Sequence, residues 1–259
     1  MSKLGAAMLK VTNALTRLTN DHTDFWVRHK GNLPIGTDLQ IDIGRLEGVD
    51  VRRIFDVGAN RGQTYRSFRS DFPNAEIHCF EPIAEPFAEL LQAVKGDENA
   101  HCEMLALGNA PGTEEVRLHE DADYLNSLRP DAMNQNPLAK VQSVEIDTVD
   151  RYLESRKISH VDLLKIDTEG FELQVLEGAH YSLSAGKVSL VLGEAGFNRD
   201  DDRHTSLFDL TEAMHRYNFH LYGVYDLYHF RGGGESGNRW VGYANVLYVE
   251  QRHVAMSGY

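Results

Sequence analysis

From Arg53 onward, short apolar runs alternate with segments of helical periodicity, and this alternation limits the folds open to the chain more than any other feature. The runs are Arg53–Val57, Glu76–Phe80, His101–Leu107, Val161–Ile166, Val188–Leu192, Phe219–Tyr225 and Ala244–Val249. Helices are expected between them, at Gln63–Ser70, Pro86–Val94, Phe171–Ala179 and Ser206–Tyr217. Strands joined through helices require crossover connections. The expected result is a mostly parallel sheet covered on both faces, a doubly wound α/β fold.

Two stretches break the rhythm. Glu115–Leu118 and Gln142–Ile146 alternate well enough to be extra strands, and the polar segment Asp121–Pro137 between them is long enough to cover a site. Arg231–Arg239 contains Gly232, Gly233, Gly234 and Gly237 and reads as a hairpin tip. No helix start follows it to help hold a phosphate. Ahead of Arg53, Leu4, Met8, Val11, Leu15 and Leu18 form one apolar stripe beside Lys3, Lys10 and Arg17. This amphipathic helix is expected to pack on the body or on a second subunit, as in a homodimer. Residues 31–50 follow as a connector with one short helix at most.

Composition narrows the partners. Against 26 Lys and Arg stand 39 Asp and Glu, a formal charge of −13, which disfavours nucleic acid and anionic membrane surfaces. No run approaches the roughly 18 apolar residues of a membrane span. Cys79 and Cys102 are too few for a disulfide framework, so a reducing cytoplasm is the expected location.

The most informative stretch is Ile54–Thr64, an apolar strand running through Asp56, Gly58, Asn60 and Gly62 into a helix. Such a turn brings backbone close to a nucleotide-like ligand. A dinucleotide site needs a second glycine where Asn60 stands, which weakens the alternative of an NAD-dependent oxidoreductase. Asp56 instead suits a cationic amine, such as the aminoacyl end of S-adenosylmethionine (SAM). Glu81 follows Asp56 by 25 residues, at the end of the next strand, where an acid accepts hydrogen bonds from a ribose diol. Asp167 and Glu169 leave the strand Val161–Ile166, and Glu194 follows the strand after it. In an open parallel sheet these acids share one crevice beyond the strand ends. The competing role for Glu169 or Thr168 is to cap the following helix. His204 follows the acidic run Asp200–Asp202, which could raise its proton affinity if the run is not simply a solvated loop. The remaining histidines show neither helical pairing nor a cysteine partner, so no zinc site is expected. Mg²⁺ on Asp167 and Glu194 is the one metal reading that the acids suggest.

The chain resembles the FkbM family of SAM-dependent methyltransferases. The resemblance rests on Asp-Val-Gly-Ala-Asn-Arg-Gly at 56–62, Phe-Glu-Pro at 80–82, Leu-Ala-Leu-Gly at 105–108, the segment Asp147–Leu153, and Asp162–Glu172 followed by Leu-Glu-Gly-Ala at 176–179. Asn-Val-Leu-Tyr-Val at 245–249 completes it. It implies a Rossmann-like class I methyltransferase sheet of seven strands with an antiparallel last strand. The expected division is an N-terminal helical extension and connector at 1–50, a methyltransferase domain at 51–252 and a tail at 253–259. The implied reaction is O-methylation of a sugar or glycosylated metabolite or polysaccharide. Asp56, Gly58, Asn60, Gly62, Thr64 and Glu81 would bind SAM, with Ala106 and Leu107 flanking the adenine. Asp167, Glu169, Glu194 and His204 are the candidate catalytic residues. A catalytically silent SAM- or sugar-binding module would carry the same binding residues.

Overall fold

The computed structural model describes residues 33–118, 140–198, 201, 203–231 and 239–254, together with Val11, Thr12, Ala14 and Leu15. Those four N-terminal residues are helical, and Val11 and Leu15 are exposed. The rest of the expected amphipathic helix lies outside the described residues, as do the whole of the polar segment 121–137 and the glycine-rich tip.

Seven strands form the central sheet: β1 (Arg53–Val57), β2 (Glu76–Phe80), β3 (Ala100–Glu103), β7 (Val161–Ile166), β8 (Val188–Gly196), β9 (Phe219–Tyr225) and β12 (Tyr243–Glu250). Their order is β3-β2-β1-β7-β8-β12-β9. The first five run parallel, whereas β12 lies antiparallel to both β8 and β9. The final strand therefore inserts between two others, and the edge belongs to β9. Helices α2 (Gln63–Asp71), α3 (Ala84–Ala93), α4 (Val149–Arg156), α5 (Glu172–Gly178), α6 (His180–Ser184) and α7 (Leu207–Arg216) connect the strands. Among the described residues no helix is long and apolar enough to cross a membrane.

Alternation along each strand splits the core into two layers. Phe55, Val57, Phe80, Leu164 and Ile166 join Tyr152, Val175 and Leu210 in one cluster. Ile54, Ile77, Leu163 and Leu190 join Phe68 and Leu90 in the other. Both strand faces are covered, so the central strands read as nearly unbroken apolar runs.

Two expectations change. The run His101–Leu107 is not one strand, because β3 ends at Glu103 and Ala106–Leu107 (β4) leaves the main sheet. β4 pairs with β6 (Val141–Asp147), which also pairs with β5 (Gly112–Arg117), and this small sheet is where the two expected extra strands reside. The connector is also more than a spacer. Its short helix α1 (Leu39–Ile43) carries Asp42, whose buried carboxylate accepts hydrogen bonds from the Gly36 N–H at 2.8 Å and the Tyr225 hydroxyl at 2.9 Å. Ile43 and Leu46 thereby enter the core beside β9. The described part of the glycine-rich hairpin consists of β10 (His229–Arg231) and β11 (Arg239–Val241).

At the centre of the sheet, Lys165 on β7 stands opposite Asp56 on β1. Its Nζ lies 3.4 Å from Asp56 Oδ1 and 3.0 Å from Asp167 Oδ2, and it is almost fully buried. Burial pushes the ammonium's pKa down, but Asp167 and Asp56 outweigh that effect and hold it above its ordinary value. Removing one partner of a buried pair strands the other charge. Lys165→Met should therefore cost about 3–5 kcal/mol of stability in urea unfolding. A loss below about 1 kcal/mol would show that the pair does not hold β1 to β7.

Candidate active site

The chain leaves β1 through a turn in which Gly58, Asn60 and Gly62 all have positive φ. Gly58 has a second constraint: a Cβ there would sit 1.8 Å from the Asp167 carbonyl oxygen. Only glycine combines that left-handed backbone with so close an approach. The N–H groups of Gly58 and Ala59 both donate to the Phe80 carbonyl at 3.0 Å, and the Asp167 N–H donates to the Val57 carbonyl at 3.0 Å. The turn is thus clamped to the exits of both neighbouring strands.

Glu81 is fixed from two sides. Its Oε2 accepts from the Asn60 N–H at 3.0 Å and its Oε1 from the Ile83 N–H at 2.8 Å. Burial nevertheless raises its pKa to about 7, against the pull of these bonds. A cavity of about 300 Å³ opens here, lined by Gly58, Asn60, Thr64, Glu81, Ala106 and Leu107 and by Asp167, Glu169 and Glu194. That volume is at the small end of the usual range for ligand pockets.

Three sequence-derived candidates do not line it. Asp56 is fully buried and faces Lys165 rather than open space, so its expected contact with a cofactor amine is replaced by an internal ion pair. Burial raises its pKa, and neither carboxylate oxygen has a hydrogen bond. Gly62 packs against Leu90 and Ala93 at the start of α2. His204 stands behind Glu194, with its Nε2 3.5 Å from Glu194 Oε2.

The second wall is built by the loop after β7. Glu169 and Gly170 adopt positive φ, and Glu172 of α5 secures them. Its Oε1 accepts from the Thr168 N–H and hydroxyl, both at 3.0 Å, and from the Gly170 N–H at 3.1 Å. The Thr205 hydroxyl donates to Oε2. The residue that ties the loop to the helix is Glu172. Sequence reasoning assigned Glu172 no task, although an acid in a helix's first turn next to a strand exit was a usable signal. Lys165 was missed for a different reason, since nothing in the sequence pairs it with Asp56.

Asp167, Glu169 and Glu194 meet in this wall with Lys165 beneath them. Desolvation, then the Asp167 charge, then that of Glu172 raise the pKa of Glu169 to about 8. Desolvation, Asp167 and Glu169 raise that of Glu194 to about 9. His204 Nδ1 is 2.8 Å from Asp201 Oδ2, and its ring stacks on Tyr243 with centroids 4.4 Å apart. Burial works against ionisation of Asp201, but the hydrogen bonds from His204 and the Arg203 N–H hold its pKa below the usual carboxylate value. The alternative metal reading placed Mg²⁺ on Asp167 and Glu194. The structure instead groups Glu169, Glu194 and His204, whose ligand atoms lie within 4.8 Å of one another, while Asp167 is engaged by Lys165.

The acid wall has a measurable cost. A carboxyl whose folded pKa exceeds its unfolded value keeps its proton in the native state after the unfolded chain has lost it. Stability then falls as pH rises from 4.5 towards about 9 for Glu194. Glu194→Gln cannot lose a proton, so it should be more stable than the wild type at pH 8 by about 1–3 kcal/mol. The difference should shrink towards pH 5. Urea unfolding at both pH values checks this, and a pH-independent difference would contradict it.

Comparison with known proteins comes to the same region. Residues 56–221 match the family model of a methyltransferase FkbM domain. A curated relative, the 31-O-demethyl-FK506 methyltransferase FkbM of Streptomyces tacrolimicus, is 28% identical over 160 residues, covering 51% of this chain and 62% of that protein. Among solved structures, a methyltransferase FkbM from Methylobacillus flagellatus KT aligns at TM-score 0.50 with 18% identity, over 80% of this chain and 45% of its own. The chain thus spans less than two thirds of either relative.

Proposed function

Because this chain belongs to the FkbM methyltransferase family, we propose that it transfers a methyl group from SAM to a hydroxyl oxygen of a sugar-type, polyhydroxylated acceptor. The observation that carries this reading is the acid wall of the cavity, in which Glu194 is backed by a His204–Asp201 pair. The curated relative, named a 31-O-demethyl-FK506 methyltransferase, supports oxygen as the receiving atom. The chain's −13 charge favours a neutral acceptor over a polyanion.

The cavity residues fit the cofactor. Glu81 has both oxygens oriented by backbone N–H groups and retains lone pairs for a ribose diol. Ala106 and Leu107 offer an apolar surface to a base, and the acids around Asp167 suit a cationic centre. When bound, SAM supplies an activated methyl group on a sulfonium.

The protein's task is to orient a weakly nucleophilic alcohol and remove its proton. Asp201 holds the His204 Nδ1–H, which leaves Nε2 as the proton-accepting nitrogen directed at Glu194. With its pKa near 9, Glu194 enters neutral solution protonated. It passes that proton to His204 Nε2 as it receives the acceptor's, and the resulting imidazolium is balanced by Asp201. Asp167, anchored by Lys165, stays in place as the fixed charge of the wall.

The test is turnover of glycosylated acceptors with SAM, read as a mass gain of one methyl. Glu81→Ala removes a charge-assisted hydrogen bond worth about 1.5–3 kcal/mol, so SAM affinity should fall at least tenfold. Glu194→Gln and His204→Ala should each lower kcat by roughly 10²-fold. EDTA should not inhibit, because the relay uses Nε2 for a proton. Wild-type kcat in both variants would overturn the mechanism, and SAM binding without turnover of any acceptor would favour the silent module.

A further inference from the structure

A second meeting of metal-binding side chains lies away from the cavity. Glu76 opens β2 and His78 follows two residues later, so both project from one face of the sheet. His101 on β3 pairs in register with His78. Glu76 Oε1 is 3.3 Å from His78 Nε2 and 3.2 Å from His101 Nε2. All three ligand atoms lie within 4.8 Å of one another. None of these residues lines the cavity.

His78 is the decisive member. Its side chain is 5% exposed, yet its Nε2 makes no hydrogen bond. The other nitrogen is engaged, with Nδ1 lying 3.0 Å from the Tyr152 hydroxyl. That hydroxyl also lies 3.3 Å from Glu103 Oε1, so the ring of His78 is held in place through Tyr152. In the tautomer protonated at Nδ1, Nε2 presents its lone pair towards Glu76 Oε1, as a metal ligand would. A cation placed between these two atoms would satisfy both. Glu76 is oriented to suit, because Arg53 binds its other oxygen at 2.6–2.7 Å and leaves Oε1 to the histidines. Histidine and carboxylate ligands secured by outer hydrogen bonds are the usual construction of a metal site.

We propose that Glu76, His78 and His101 bind a zinc ion that staples edge strand β3 to β2. Zinc takes nitrogen and oxygen ligands at about 2.0–2.1 Å in tetrahedral geometry, which separates ligand atoms by about 3.3 Å. The spacings of 3.3 and 3.2 Å from Glu76 Oε1 to the two histidines match this. His101 is 44% exposed and Glu76 33%, so water can reach the fourth position. The inference does not depend on the proposed methyl transfer.

The experiment is calorimetric titration of the chelator-treated full chain with Zn²⁺, with thermal unfolding in parallel. The Glu169–Glu194–His204 group is a rival site, so His204→Ala serves as the comparison. One tight zinc per chain is expected in the wild type and in His204→Ala, together with a higher Tm. His101→Ala changes a half-exposed side chain and should fold, with affinity reduced at least tenfold and no zinc-dependent rise in Tm. Glu76→Gln, which keeps the size of the residue, should weaken binding in the same way. Absence of stoichiometric binding would overturn the proposal. So would wild-type affinity in His101→Ala, or loss of the site in His204→Ala alone.

Discussion

The buried ammonium of Lys165 is the interaction on which both the sheet and the site depend. It sits where β1 and β7 run side by side, answers Asp56 below the glycine turn and anchors Asp167 at the cavity wall. Desolvating three charges is expensive, and such a cluster persists only with close geometry. The surrounding backbone supplies it. The carbonyl of Asp167 approaches Gly58 so closely that no side chain fits, and the N–H of Asp167 bonds to Val57. One cation thus sets the relative position of the two strand exits that frame the ligand cavity.

Three acids gather above it. Lys165 provides one positive charge, whereas Asp167, Glu169 and Glu194 crowd the same wall, and two of them hold their protons well past neutral pH. This is an environment that lowers stability and favours cationic or proton-donating ligands, a trade often made at functional sites. Glu172 makes it tolerable by fixing the left-handed loop that carries Glu169 with hydrogen bonds from Thr168, Gly170 and Thr205. Further along the same sheet, Arg53 and Tyr152 hold Glu76 and His78 in a comparable way. In both places a sparse outer layer of hydrogen bonds holds polar groups that would otherwise rearrange.

Much was legible in the sequence. Arg53–Val57, Glu76–Phe80, Val161–Ile166 and Phe219–Tyr225 are strands with the expected bounds, because buried central strands leave unbroken apolar runs. The glycine turn and the position of Glu81 were readable for a similar reason, since positive φ and a strand-end acid are local requirements. The division of His101–Leu107 was not, because where one strand stops and another begins depends on which neighbour each half finds. Asp42 was equally opaque, as its partner Tyr225 lies far along the chain.

By itself the sequence determined the parallel sheet, the turn after β1 and the set of acids delivered to the strand ends, all consequences of short-range pattern and backbone sterics. Only the tertiary structure decided which polar groups face one another. It turned Asp56 inward to Lys165, placed Asp201 and His204 behind Glu194, and brought His78 beside His101 from a neighbouring strand. The physical reason is that charge and hydrogen-bond energies depend on distance in space and on burial. Strand register and crossover connections set both, and neither is written in the spacing of residues along the chain.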